Sequence, residues 1–435
     1  MSDAVSPPYR LGVARRAILA LALGLSLLAL VQARHRAEQG RSALVKWRPA
    51  AEALERGEEI YQVGAEGYPT LPLSLLVMRP FHAAGDVAGP LLWALLQVAL
   101  AWWIVTRALA LAAGRARDFP LLGQLVVLLL SARVLLSDVL HGNVNILVGA
   151  TVATAAWEWS RARELRAGLW IGLGAVLKVT PALALVYFLW KRSARAAIGV
   201  FVSVAMFAFT LPAAALGWTR NVELARGWWS QMVAPYLAGR ALELLQTEHI
   251  NQSLLGVASR HLTDSVAIAA RPPVFPRAVS VHWAALDPGA FRAVYLALCA
   301  VVVVYLLWCL GPARATRSAR GARVLGEFAL LALAMPFLSE RSWKHHYVLL
   351  CFPLAFLAWR ALRLPRSDAR FRIAVLGLAA SALLNGLSGS AVLGARASDM
   401  AEAWGAWLAG GLALFVACGE ILRRDRRGSL QATHA

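Results

Sequence analysis

"AGLWIGLGAVLKVTPALALVYFLWKR" (residues 167–192) decides how this chain sits in a membrane. The run is long enough for one crossing, which takes about twenty apolar residues. Yet it is basic on both flanks: Arg161, Arg163 and Arg166 precede it, and Lys191, Arg192 and Arg195 close it. Basic loops stay on the cytoplasmic side, so one ordinary crossing would put Lys191 and Arg192 on the wrong face. The middle of the stretch offers a way out. Lys178, Thr180 and Pro181 interrupt the apolar run, and proline removes a backbone hydrogen bond and kinks a helix. The expectation is a broken or re-entrant helix pair with both flanks cytoplasmic, lining a cavity as irregular backbone at membrane depth does.

Working outward, the 435 residues are 59% hydrophobic and only 16% charged, too few polar groups to cover a soluble protein of this size. Further apolar runs fall at about 17–33, 88–112, 119–136, 142–158, 195–217, 291–310, 324–338, 344–362, 371–390 and 404–422. The fold class is an all-α polytopic membrane protein of about ten to twelve transmembrane helices, read as a single transmembrane domain over 1–435. The first run follows Arg15 and Arg16 and is read as a retained span rather than a cleaved signal. The net charge of +20 is spread over short basic clusters between spans, as cytoplasmic loops require, so nucleic acid is not an expected partner. Cys299, Cys309, Cys351 and Cys418 all lie in apolar runs without metal-ligand spacing, and are expected as free thiols.

The same charges set the topology. Arg10, Arg15 and Arg16 hold the N-terminus in the cytoplasm, and the sign returns at Arg115/Arg117, Arg314/Arg317/Arg320/Arg323, Arg360 through Arg372, and Arg423/Arg424/Arg426/Arg427. Both termini are then cytoplasmic, with a short tail over 423–435. The other side receives long loops at about 34–87 and 218–290, a turn at 136–145, the turn after the 324–338 span, and a last loop near 393–403. Residues 71–82 are too short to cross and read as an interfacial element. Trp228, Trp229, Pro235 and Tyr236 suggest that the second long loop rests on the membrane surface.

Polar residues that are not basic anchors gather on that outer side. In "LLSDVLHGNVNILV", Asp138, His141, Asn143 and Asn145 meet at a helix junction. Caps and a Gly142 turn account for part of this, but amides entering a membrane helix need partners or a ligand. Lys178 must snorkel, pair or meet an anion. "LQTEHINQSLLGVASRHL" (245–262) carries Glu248, His249, Asn251 and Gln252 before Leu254, Leu255 and Val257, as a solvated amphipathic helix or as part of a site. "SERSWKHHYVLL" (339–350) brings Glu340, Arg341, Lys344, His345 and His346 to the mouth of a span. Aromatic and cationic anchoring explains Trp343, Arg341, Lys344 and Tyr347. It does not explain Glu340 or two histidines, the side chains best suited to proton transfer near neutral pH.

The stretches "HGNVNILV", "AGLWIGLGAVLKVTPALAL", "NQSLLGVASR" and "SWKHHYVLL", in this order over about residues 40–390, resemble glycosyltransferase family 87, the GT-C-type polyprenyl-phosphate-mannose-dependent mannosyltransferases and their bacterial relatives. The resemblance implies a GT-C-type bundle in the bacterial cytoplasmic (inner) membrane with its active site at the extracytoplasmic surface. It implies a polyprenyl-phosphate sugar donor, a lipid or glycan acceptor and surrounding membrane lipid, with no cofactor and no metal. On that reading Arg341 and Lys344 hold the donor phosphate, with Lys178 in support, and His345, His346 and Asp138 are the catalytic candidates. His141, Asn143, Asn145, Glu248, His249 and Asn251 line the sugar and acceptor sites.

One piece of the pattern is missing. The family's first outer loop carries an acid usually taken as the base, and here that position falls near Ser42 or Ala43, neither of which can serve. The base then comes from elsewhere, with His345, His346, Asp138 or Glu52 available, or the alignment shifts by several residues, or the chemistry has changed. Two other readings stay open: a transporter or flippase of lipid-linked intermediates, and an inactive relative of the enzymes.

Overall fold

The computed structural model describes residues 8–63, 67–238, 246–311 and 320–434. Arg314, Arg317 and Leu245 lie outside them, as do the side chains of Arg10, Tyr236 and Arg320. The described residues form helices and no strand, with only two isolated bridges, Ile268 to Val279 and Arg271 to Phe275. Hydrocarbon offers no partner for a free backbone group, so each apolar run closes its hydrogen bonds within itself as a helix.

Among the described residues, eight helices are long and apolar enough to cross a membrane. The innermost is Arg320–Leu338, where Leu325, Phe328, Ala329, Leu330, Leu331 and Phe337 are fully buried. The N-terminal helix Pro8–Glu38 and the helix Pro288–Leu310 are peripheral, showing Leu19, Leu23, Leu27, Val301 and Val304 outward as lipid-facing surface. Two further runs expected as spans are shorter. Asn145–Ser160 has 16 residues, and Cys351–Arg363 has 13 after the 3-10 turns Lys344–His346 and Val348–Leu350. At 1.5 Å per residue the first is about 24 Å long, against about 30 Å of hydrocarbon. A helix of that length falls short of the full hydrocarbon thickness.

The stretch 167–192 is a re-entrant hairpin. Helix Glu164–Leu177 ends where Lys178 turns extended (φ −159°, ψ 128°); a 3-10 turn Thr180–Ala182 and helix Leu183–Trp190 lead back. The hydroxyl of Ser193 donates to Glu164 at 2.7 Å, so both ends of the hairpin sit side by side. The glycines of its first arm exist for close packing. A Cβ on Gly168 would lie 2.0 Å from the Ala196 carbonyl oxygen, and one on Gly172 2.5 Å from that of Val200. Small residues four apart let two membrane helices touch along their backbones.

Lys191, expected as an exposed anchor, is buried beneath the hairpin's open end. Its amine donates to Glu327 at 2.9 Å and to the carbonyls of Leu310 and Gly311 at 3.1 Å. Glu327 also accepts from Tyr187 at 2.7 Å and Arg323 at 3.1 Å. A buried carboxylate reached by two cations ties three helices together. Glu327→Leu should cost about 3–5 kcal/mol, because it strands a buried ammonium. Thermal unfolding in detergent checks this; an unchanged midpoint would show that the pair holds nothing.

The expected loops carry more structure than their composition suggests. Helices Arg48–Glu55 and Leu73–Ala83 fill the first, the latter in the place expected for the interfacial element. Ala50, Ala53, Leu54, Ile60, Tyr61, Tyr68 and Leu75 form a small core there that Leu224 of the second expected loop completes. The second contains Trp218–Trp228 and Leu254–Leu262. The loop expected near 393–403 is helical, part of Ser390–Ala403, kinked where Gly394 takes φ 75°. Its alanines and Met400 are good helix formers, which outweighed its polar character. All four cysteines are free thiols.

Candidate functional site

The hairpin tip and the "HGNVN" turn build the floor of a recess together. Gly142, at φ 63°, ends helix Leu121–His141 in the left-handed conformation, and helix Asn145–Ser160 starts three residues later. Asp138, fully buried, caps that helix: one oxygen accepts from the Ile146 amide at 2.9 Å and the other from the Asn145 side chain at 2.8 Å. The Asn145 oxygen in turn accepts from the Lys178 amine at 2.7 Å. Asn145 thus links Asp138 to Lys178 and fixes where the Lys178 amine points. Asn143 turns away from this line, accepting from the Val144 amide at 2.9 Å.

The wall is the segment 339–346. Lys178, Asn145, Thr180, Ser339, Ser342 and His346 line a pocket closed by Val148, Met335 and Leu349, with a volume of about 30 Å³. That is room for one water-sized group, such as an oxygen of a phosphate. His345 is buried and stacks on His141, centroids 4.4 Å apart, with Trp343 and His346 edge-on at 5.2 and 5.0 Å. Burial first holds both His345 and His346 well below the usual imidazole range, helped at His345 by the neighbouring imidazoles and at His346 by Lys178. His346 Nδ1 lies 3.2 Å from the Arg341 carbonyl, which can only accept, so it carries the proton and leaves Nε2 as an acceptor.

Segment 339–342 is held from the side by Asn251 and Ser253. The Asn251 amide donates to the Glu340 carbonyl at 3.1 Å and its oxygen accepts from the Ser342 amide at 3.0 Å; Ser253 donates to the Glu340 carbonyl at 3.1 Å. Asn251 therefore spends its groups on this segment. The solvated reading of 246–262 fails: Gln252, Ser253, Ser259 and Arg260 are all fully buried. Glu248 is exposed and only its backbone enters the network.

Several residues that sequence reasoning passed over organise the rim. Arg260 donates to five backbone carbonyls, those of Thr247, Glu248, Asn251, Glu402 and Ala403. Arg133 donates to the Asn385 carbonyl at 2.6 Å, lies over the Trp407 ring, and approaches Glu402 at 3.8 Å. A charge in mid-span at Arg133 is the one signal that could have marked it. Glu402 also holds Lys344 at 3.3 Å, so Lys344 is paired while Arg341 has no side-chain partner among the described residues.

His249, Asp399 and Glu402 bring ligand atoms within 4.8 Å of one another. The donor set could suit a divalent cation, but Lys344 and Arg133 lie on Glu402 and Arg271 pairs with Asp399. The two carboxylates are already neutralised by side chains, which leaves little charge for a metal. Burial pulls the His249 imidazole down, against the opposing pull of Asp399 and Glu402.

The position of the missing acid is part of this site. Ser42 is buried against Gly142, where a Cβ would lie 2.3 Å from the serine oxygen. Arg36, Lys46 and Lys344 all lie near enough to act on the adjacent His141. Cations thus surround the place where the resemblance expects an acid. Glu52 is elsewhere, exposed on its helix and 4.0 Å from Arg56.

Residues 68–339 match the sequence profile of glycosyltransferase family 87. No curated protein and no solved structure matches the chain.

Proposed function

The chain belongs to glycosyltransferase family 87, and we propose that it moves a hexose from a polyprenyl phosphate to a lipid or glycan acceptor outside the cytoplasm. The family and the eight apolar helices make it a membrane glycosyltransferase. The observation that carries the finer reading is the Lys178 amine at a hairpin tip, held by Asn145, facing a pocket with room for one phosphate oxygen. A phosphate arriving on an isoprenoid enters such a recess from the side, and its charge is met without a nucleotide-binding domain.

In this reading the whole chain is one GT-C-like domain in a bacterial cytoplasmic membrane, its recess extracytoplasmic and its termini cytoplasmic. Lys178 and Arg341 hold the donor phosphate and stabilise it as it departs. His346 Nε2 accepts from a sugar hydroxyl, and His345 fixes His141 by stacking and His346 by an edge-on contact. Asp138 and Asn145 position Lys178; Asn251 positions the 339–342 segment. Lys344, His141, Asn143, Glu248 and His249 form the rim where the acceptor arrives. The chemistry needs no metal, an expectation supported by the cations on Glu402 and Asp399.

Purified protein in liposomes should transfer label from polyprenyl-phosphate mannose to an extractable lipid or glycan, in the presence of EDTA, and none from a nucleotide sugar. Transfer from the nucleotide sugar alone would sink the donor assignment. Sidedness has its own test. Ser280 is exposed while three of the four native thiols are buried, so Ser280→Cys should react with an impermeant thiol reagent on intact cells. Reaction only after lysis would invert the topology.

A further inference from the structure

We propose that Glu340 is the general base of the transfer, taking the proton of the acceptor hydroxyl; this rests on the lipid-phosphate transfer proposed above. Of the acids on this face, most are committed. Asp138 spends both oxygens on the start of a helix, Glu402 holds Lys344 and Arg133, and Asp399 faces Arg271 and His249. Glu340 and Glu248 are both uncommitted among the described residues, and of the two Glu340 is the one facing Arg341 and Lys178. Its carboxylate has no hydrogen-bond or ion-pair partner among the described residues, and its side chain is exposed. Its backbone, by contrast, is fixed by Asn251 and Ser253, with Ser342 bonded to Asn251 and Gln252 on the following turn. A free carboxylate on a pinned segment is what a base needs: reach without wander.

Its surroundings suit the task. The charged groups facing it are Arg341 on its own segment and Lys178 from the hairpin tip, the two cations assigned to the donor phosphate. A base next to those cations is next to the carbon that the phosphate leaves. The protein packed beside the exposed side chain still desolvates it, pushing the carboxyl up to about 7 against the pull of Arg341 and Lys178. An acid in that range accepts a proton readily at neutral pH. The site also supplies what the first outer loop lacks, since Ser42 cannot act as a base.

The step balances without a further reactant. The acceptor oxygen forms a bond to the anomeric carbon as its proton passes to the Glu340 carboxylate. The bond from that carbon to the phosphate oxygen breaks, and its electron pair leaves on the lipid phosphate. Glu340 then returns the proton to water. One displacement of this kind inverts the anomeric centre.

The test uses full-length protein in lipid nanodiscs with labelled polyprenyl-phosphate mannose, measuring donor binding and label transfer separately. Glu340→Gln should bind donor within about twofold of wild type and lose about 10²–10⁴-fold in transfer, with Glu340→Asp recovering part of it. Wild-type kcat/KM should rise with pH through about 7 as the carboxyl gives up its proton, and this limb should vanish in Glu340→Gln. Full transfer by Glu340→Gln, or a loss that only follows weaker donor binding, overturns the assignment. If wild type itself transfers nothing, the donor reading fails first. An isotope-edited infrared titration then decides on Glu340 alone: a carboxyl titrating near 7 and absent from Glu340→Gln supports it, and no such carboxyl overturns it.

Discussion

Replacing His345 and His346 together with Ala is expected to lower label transfer by about 10²–10⁴-fold, the range for losing positioned polar groups at a reacting centre. The two imidazoles act by different routes. His346 lines the pocket beside Lys178, and its backbone-bound Nδ1 leaves Nε2 as an acceptor. Its loss removes a contact to substrate. His345 is buried and carries the stack with His141, so its loss lets the neighbouring rings shift. The single variants separate these roles. His345→Phe keeps a ring on His141 and should fall much less than His345→Ala, whereas His346→Phe should fall as far as His346→Ala. Transfer assays on protein whose thermal midpoint is unchanged check this; full transfer by the double variant would remove the pair from the mechanism.

Arg260→Leu should be the most damaging single change around the recess. The guanidinium is fully buried, bonded to carbonyls of 247–251 on one side and 402–403 on the other. Desolvation brings Arg260 down to about 10, which still leaves it charged at neutral pH. Without it five carbonyls lose their donor. Unmet buried groups cost about 1–3 kcal/mol each, and partial relaxation brings the expected total to about 3–5 kcal/mol. Arg260→Lys should recover little, because an ammonium has three donors and no planar fork. Proteolysis should become faster at 246–262 and 399–405, and transfer should fall with it, since the same loop pins 339–342. Unaltered cleavage would mean that the two segments hold together without Arg260.

What the sequence revealed follows from which interactions are local. The membrane class, the re-entrant hairpin and the "HGNVN" turn rest on hydropathy, charge asymmetry, proline and glycine, all readable within about thirty residues. The convergence of Asp138, Asn145, Lys178 and His346 was anticipated only as a shared face; which atoms meet is set by packing. Lys191 shows the limit. Its flanking position reads as an anchor, and only Glu327, 136 residues on, makes it a buried ion. Lys344 likewise reads as free until Glu402 arrives from 58 residues away. Arg260 was hidden in an amphipathic pattern because its partners are backbone groups, which carry no residue identity. Glu340 stood out in sequence as unexplained, and the structure supplies its surroundings.

The central claim is that the recess between the hairpin tip and 339–346 holds a lipid-linked sugar phosphate. A photoreactive polyprenyl-phosphate mannose analogue, crosslinked in liposomes and mapped by mass spectrometry, tests it most directly. Peptides containing Lys178 and residues 339–346 should be labelled, and unlabelled polyprenyl-phosphate mannose should suppress that labelling. Labelling confined to the opposite end of the bundle, around Arg161, Lys191 and Arg323, would contradict the account.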